Sequence, residues 1–210
     1  MPEKSIAAAD FDGDGTIDLA IVSHLLLDAL GGEVSVLFNS GDARFTPRIF
    51  STDPPLLDVS QYSAGEAPWA LVAADLNGDG ATDLAVASFG AADAGGSVTV
   101  LLNNGNGDFI SPANSFGAGT NPASIVAADF NADGATDLAV GNFASHGVSL
   151  LLNQGNGLFT STPEYAVGTA VQSVTAADLN ADGLPWATAI SARRSHTPRQ
   201  QDRRHCRRPI

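Results

Sequence analysis

The chain has almost no cysteine. Its one thiol, Cys206, lies near the end of 210 residues. Disulfides therefore do not hold the fold together, and cysteine usage leaves the compartment open. Basic side chains are scarce as well. Only Lys4, Arg44 and Arg48 precede position 193, against 22 acids, a net −19 for residues 1–192. A body with that balance lacks the basic face that phosphates need, which disfavours nucleic-acid binding by residues 1–192. Glutamate is rare: 19 of the 23 acids are Asp and four are Glu. Glu suits solvated helices, whereas Asp beside 22 Gly and 11 Pro suits turns. No apolar run approaches the roughly 20 residues of a membrane span. No apolar stretch follows Met1-Pro2-Glu3-Lys4-Ser5-Ile6, so no signal peptide is read in this chain. Helical periodicity is absent, apart from a short candidate turn at Ser23–Leu30.

Repetition fills the space these absences leave. The segment Ala9-Asp10-Phe11-Asp12-Gly13-Asp14-Gly15-Thr16-Ile17-Asp18-Leu19-Ala20 returns from Ala74 as ADLNGDGATDLA. It returns from Ala128 as ADFNADGATDLA. A fourth copy starts at Ala177-Asp178-Leu179-Asn180-Ala181-Asp182-Gly183 and breaks into Leu184-Pro185-Trp186. Twelve of the 19 Asp residues sit in these loops. A second element recurs between them. It reads Val34-Ser35-Val36-Leu37-Phe38-Asn39 before Gly41 and Phe45, and returns at Val98–Asn103 and Val148–Asn153. A β-branched run, then Asn and Gly, then an aromatic reads as a hairpin. Short apolar runs enter and leave each aspartate loop. Each unit therefore holds about four strands in about 50 residues, the size of a propeller blade.

The expected fold is all-β, with about three and a half four-stranded antiparallel blades from a larger propeller. The units span about 5–50, 66–112, 120–162 and an incomplete 170–192. Residues 51–65, with Pro54-Pro55, read as a loop insertion.

The loop spacing D-x-[DN]-x-[DN]-G-x-x-D sets hard oxygens at positions 1, 3, 5 and 9. The ligand candidates are Asp10, Asp12, Asp14 and Asp18; Asp75, Asn77, Asp79 and Asp83; and Asp129, Asn131, Asp133 and Asp137. Position 7 adds a main-chain carbonyl from Thr16, Ala81 or Ala135. Glycine at position 6 permits the left-handed turn. Oxygen-only donors in a flexible loop select calcium over zinc, copper or magnesium. Carboxylates about 4 Å apart repel by about 1 kcal/mol per pair even in water, so the cluster calls for a cation. An EF-hand is excluded: position 12 is Ile21, Val86 or Val140 where it needs Glu, and these lie in strand-like runs. A dockerin-type module fails for the same reason. About three calcium sites are expected. A weaker or defective fourth keeps Asp178, Asn180 and Asp182, with Trp186 where Asp belongs.

In these motifs the chain resembles the FG-GAP/VCBS repeat family, the calcium-loop blades of integrin-α-type propellers and of many bacterial secreted proteins. The resemblance covers nearly all of residues 5–183. It rests on the loop, the strand after it and the N-x-G-x-G-x-F hairpin. Phe89-Gly90 and Asn142-Phe143 stand where the family's Phe-Gly element falls. Gly65-Glu66-Ala67-Pro68 loosely keeps its Gly-Ala-Pro half. The resemblance implies an extracellular or cell-surface propeller for adhesion or ligand interaction, with a protein or carbohydrate on its surface. An accessory domain of a secreted enzyme, such as a polysaccharide-degrading one, is the alternative. An open arc of blades exposes edges, so self-association is expected.

From Arg193 the chain holds seven of its ten basic residues, and the repeat has already broken. A basic arm for nucleic acid or anionic surfaces is one reading of 193–210. A disordered or out-of-frame end is the expectation here, because it accounts together for the lost Asp, the new composition and the stop. Catalysis is not expected: no G-x-S-x-G, H-E-x-x-H, C-x-x-C or P-loop pattern occurs. Asp12-Gly13-Asp14 as a glycosyltransferase-like DxD is too short to weigh against the repeat. His24 and His146 have no periodic partners. Trp69 reads as blade packing rather than a sugar platform, and Phe45, Phe109 and Phe159 recur as packing residues.

Overall fold

The computed structural model describes residues 5–24, 32–42, 44–47, 60–90, 95–110, 114–168, 170–178, 186–191 and 203–205. These form four antiparallel sheets in chain order, and no helix occurs among them. The first sheet holds β1 (Ser5–Ala9), β2 (Asp18–His24), β3 (Gly32–Asn39), β4 (Phe45–Pro47) and β5 (Ser60–Ser63). The second holds β6 (Pro68–Ala74), β7 (Asp83–Ser88), β8 (Ser97–Leu101) and β9 (Asn114–Gly117). The third holds β10 (Pro122–Ala128), β11 (Asp137–Asn142), β12 (Gly147–Asn153), β13 (Phe159–Ser161) and β14 (Tyr165–Ala166). The fourth holds β15 (Val171–Ala177), β16 (Trp186–Ser191) and β17 (Arg203–His205).

Each sheet is a meander whose first hairpin carries the aspartate loop. The register repeats: Ala9 pairs with Asp18, Ala74 with Asp83, Ala128 with Asp137 and Ala177 with Trp186. Trp186 thus takes the pairing position of the lost aspartate, and the fourth hairpin still forms. The expected Asn–Phe hairpins also recur, with Asn39 opposite Phe45, Asn103 opposite Phe109 and Asn153 opposite Phe159.

The outer strand differs from the sequence reading because it comes in two pieces. β5, β9 and β14 pair again with the third strand of their sheets. The first three units therefore extend to Ser63, Gly117 and Ala166, and Ser60–Ser63 is a strand inside the stretch read as an insertion. These second pieces are two to four residues long, too short for alternation to register. Ser23 and His24 belong to β2; the rest of the candidate helical turn lies outside the described residues. In the basic tail Arg203–His205 pairs with β16, and the remainder of 192–210 lies outside the described residues.

The core lies between sheets. Phe11, Val22, Val36, Leu71, Leu84 and Phe109 join the first to the second. Leu76, Val100, Ile125, Leu138, Leu151 and Phe159 join the second to the third. Ala139, Val148, Val167, Val171 and Val174 join the third to the fourth. Along β7, Leu84 and Val86 face the first sheet while Ala85 and Ala87 face the third. A strand alternates its side chains, so one covered on both sides buries every position. All of Asp83–Ser88 and Asp137–Asn142 are buried accordingly. β3 alternates between buried and half-buried instead. The packing residues follow suit: Phe109 and Phe159 are buried, while Phe45 is 40% exposed.

Close backbone approach tightens two junctions. A Cβ on Gly32 would run into the Pro68 ring, and one on Gly96 into the Pro122 ring. The first strands of the second, third and fourth sheets bulge at one position each, skipping Trp69, Ala123 and Gln172 in the pairing register, whereas β1 pairs without a break. A bulge re-aims the extra residue. Trp69 accordingly lies half-buried outside the cores, its ring stacked on Phe89 at 4.6 Å.

Candidate metal loops

Three loops repeat one bonding scheme. The carboxylate at position 1 accepts two backbone N–H groups across the turn. Asp10 accepts from Gly13 at 2.8 Å and Gly15 at 2.9 Å. Asp75 accepts from Gly78 and Gly80, and Asp129 from Ala132 and Gly134. The side-chain oxygen at position 3 accepts from the N–H of position 5, and the carboxylate at position 5 accepts from the N–H of position 7. Gly15, Gly80 and Gly134 sit at φ +87°, +86° and +87°, as the tight turn requires. Position 4 is left-handed as well: Gly13 at +74°, Gly78 at +78°, and Ala132 at +64° despite its Cβ.

Position 9 does something the sequence reading did not foresee. Asp18, Asp83 and Asp137 are fully buried at the start of the second strand. One oxygen of each accepts the N–H of position 2: Phe11 at 2.9 Å, Leu76 at 2.8 Å and Phe130 at 3.0 Å. The other accepts the N–H of the hairpin asparagine: Asn39, Asn103 or Asn153, at 2.7–2.8 Å. This carboxylate staples the loop to the third strand. A carboxylate has about four lone-pair sites, so two bonds leave capacity for a cation.

Asn103 and Asn153 are the residues the sequence reading missed as functional. Each was read only as a turn former. The Nδ2 of Asn103 donates to Phe11 O in the preceding loop at 2.7 Å, and that of Asn153 to Leu76 O at 2.7 Å. Their Oδ1 atoms accept N–H groups of the following Gly turn. The signal was the recurrence of Asn at one place in all three hairpins.

Electrostatics separates the positions. Burial pushes the Asp83 carboxyl up to about 6; the N–H bonds from Asn103 and Leu76 oppose this, and the charges of Asp79 and Asp75 add to it. Asp137 is raised for the same reasons, burial first. Asp14 is lowered, first by the Thr16 hydroxyl and then by the Thr16 N–H. That hydroxyl lies 2.7 Å from both Asp14 Oδ1 and the Asn39 carbonyl, and its one proton serves one at a time.

Among the described residues, Asp10, Asp12 and Asp18 place carboxylate oxygens within 4.8 Å of one another. Asp14 is exposed and turned to Thr16. In the second and third loops the amide at position 3 donates to the carboxylate at position 5: Asn77 to Asp79 and Asn131 to Asp133, both at 2.8 Å. Thr16, Ala81 and Ala135 sit at position 7 with their N–H groups engaged inside the loop. In the fourth loop Asp178 is exposed, and Asn180 and Asp182 lie outside the described residues. The donors are carboxylates, amides and main-chain oxygens, a set that fits a hard divalent cation. Asp83 is raised chiefly because it is buried, and the neighbouring Asp79 and Asp75 charges add to that.

The aspartate loops also mark where the chain matches known sequences. A profile of the FG-GAP-like repeat matches residues 10–86, 75–140 and 129–185. Each match begins at position 1 of one loop and runs through the next. No curated protein matches the chain. Among the described residues no helix is long and apolar enough to cross a membrane.

Proposed function

The chain belongs to the FG-GAP-like repeat family, and from that premise we propose that it is a calcium-binding interaction scaffold without chemistry of its own. The observation that carries this is the repeated oxygen loop, with Asp10, Asp12 and Asp18 converging in the first copy. Calcium would be held by Asp10, Asp12, Asp14, Asp18 and the Thr16 carbonyl, and by the equivalent sets from Asp75 and Asp129. Bound there, the ion supplies charge neutralisation and cross-links the turn. The position 9 aspartates carry that constraint into the sheet through their bonds to the third strand. A cage filled by protein oxygens leaves no open position for an activated water, which argues against hydrolysis.

Such a module would work outside the cell or on its surface, in adhesion or ligand binding, a reading that the repeat family supports. Exposed large apolar residues occur in each of the first three units: Ile6, Ile17 and Phe45, then Ile110, then Phe143 and Leu158. Self-association through open blade edges is part of this reading, and sedimentation against concentration tests it: a constant monomer mass would overturn it. The central test is thermal unfolding in calcium and in chelator. Each saturated site contributes about 2.7 kcal/mol at a hundredfold excess over the dissociation constant. Superimposable melting curves would defeat the reading.

A further inference from the structure

The three bulged residues of successive innermost strands meet at one cavity, at the end of the strands opposite the aspartate loops. The cavity holds about 370 Å³ and is lined by Trp69, Phe89, Asn121, Ala123, Phe143 and Gln172. That volume lies within the range of small-molecule sites, about 300–1,000 Å³. Trp69, Ala123 and Gln172 are the residues skipped in the pairing of β6, β10 and β15. Bulges recur next to functional sites because they re-aim a side chain without ending the sheet.

The walls are fixed by a repeated backbone device. Phe89 donates its N–H to the carbonyl of Ala67 at 3.0 Å, and Phe143 donates to that of Asn121 at 2.9 Å. Ala67 and Asn121 both stand at positive φ, +50° and +53°, just before Pro68 and Pro122. Left-handed backbone at non-glycine residues costs about 1–3 kcal/mol and gathers at functional sites. The scaffold repeats while its decoration varies: Trp, Ala and Gln occupy one equivalent position in three units. The small Ala123 leaves room between the indole and the Gln172 amide.

We propose that this cavity binds a neutral saccharide, one pyranose ring lying against the aromatic walls. Among the described residues none of the six that line it is charged, which favours a neutral ligand. The net −19 of residues 1–192 further disfavours acidic sugars. Trp and Phe supply flat apolar faces for the C–H side of the ring. The amides of Asn121 and Gln172 both donate and accept, as sugar hydroxyls do. Phe143 is 41% exposed, so one edge of the site stays wet, which suits a ligand with a polar rim. The proposal rests on the reading of the chain as a ligand-interaction scaffold, and names the class of ligand.

The chain has two tryptophans, so Trp186→Phe leaves Trp69 as the only indole. Fluorescence of that full-length protein in calcium is titrated with cellobiose, N,N′-diacetylchitobiose and lactose, with glucuronate as contrast; indole, whose own emission overlaps that of Trp69, is titrated by calorimetry. A saturable response to at least one neutral disaccharide, with none to glucuronate, is expected. Phe143→Ala should weaken binding about tenfold or more, read by calorimetry. Asn121→Gly, which keeps the positive φ and removes the amide, should weaken it severalfold with the melting temperature retained. No response to any neutral saccharide up to roughly 50 mM would overturn the proposal. So would a response to indole alone, or to glucuronate as strongly as to the neutral sugars. A calcium-dependent melting shift that persists beside such a failure leaves the scaffold reading standing and removes only the saccharide.

Discussion

The side-chain amide of Asn103 donates to the main-chain carbonyl of Phe11 at 2.7 Å, across 92 residues of sequence. Both groups are buried, and the bond joins the second unit's hairpin to the first unit's aspartate loop. Asn153 makes the same bond to Leu76 one unit on. Aspartate loop and blade junction are therefore one structure: whatever orders position 2 of a loop also presents the carbonyl that holds the next unit.

That coupling gives the first prediction. Asn103→Ala strips partners from the Phe11 and Thr82 carbonyls and from the Gly105 and Gly107 N–H groups. Leaving a buried polar group unpaired costs about 1–3 kcal/mol. A loss of about 3 kcal/mol in denaturant unfolding is expected. Asn39→Ala is the control. Asn39 Nδ2 bonds Ile17 in its own unit, at 3.1 Å and exposed, so its loss should stay near 1 kcal/mol. Equal effects would show that the cross-unit bond carries no weight.

A second prediction concerns pH. The Asp83 carboxyl is raised to about 6 in the folded chain, above the ordinary value of 3.8. Between those values the folded state binds the proton more tightly than the unfolded state. Stability from this group is therefore present in acid and is lost as pH rises through about 6. Calcium-free protein should melt higher at pH 5 than at pH 7. Calcium should reverse the trend, because protons then compete with the ion for carboxylates. Asp14, lowered by Thr16, acts in the opposite sense and loses its contribution only in stronger acid. Asp83→Asn should flatten the calcium-free slope while lowering stability overall, since one of its two N–H partners loses an acceptor. An unchanged slope in that variant would assign the dependence elsewhere.

The repeat made the sheets legible, and the register kept faith with it even at Trp186. What stayed hidden depends on long-range placement. Asp83 reads as one ligand among four because a staple and a ligand use the same side chain. Only the fold reveals that its oxygens face Leu76 and Asn103. The Asn103 bond joins residues no local pattern connects. The second outer pieces, such as Tyr165–Ala166, are too short and polar to stand out from loops. Trp69 reads as packing, and its ring does stack on Phe89; the bulge that places it there is a property of pairing, and pairing is not written locally.

Ala132 offers a third prediction, one that stabilises. It holds φ +64° where the other two complete loops carry Gly13 and Gly78. A left-handed L-residue costs about 1–2 kcal/mol, and glycine returns part of that through its more mobile unfolded chain. Ala132→Gly should gain about 0.5–1 kcal/mol, measured by denaturant unfolding without calcium. A loss would mean that the Cβ makes a contact worth more than the strain.

The fourth prediction ranks the calcium sites. The first loop carries four carboxylates, whereas the second and third replace one with Asn77 and Asn131. Those amides already donate to Asp79 and Asp133, so part of the local charge is answered before any ion arrives. The first loop has Asp12 at that place, which supplies no N–H to Asp14. A cation entering it meets more negative charge and displaces no amide bond. Charge count tunes the affinity of such oxygen sites over decades, so the first site should bind roughly tenfold more tightly. Asp12→Asn should bring it down to the level of the other two, and Asn77→Asp should raise the second toward the first. Calorimetric titration of these variants resolves the sites one by one. The fourth, with Trp186 in the aspartate register, should be the weakest or silent; finding it tightest would break the link between carboxylate number and affinity.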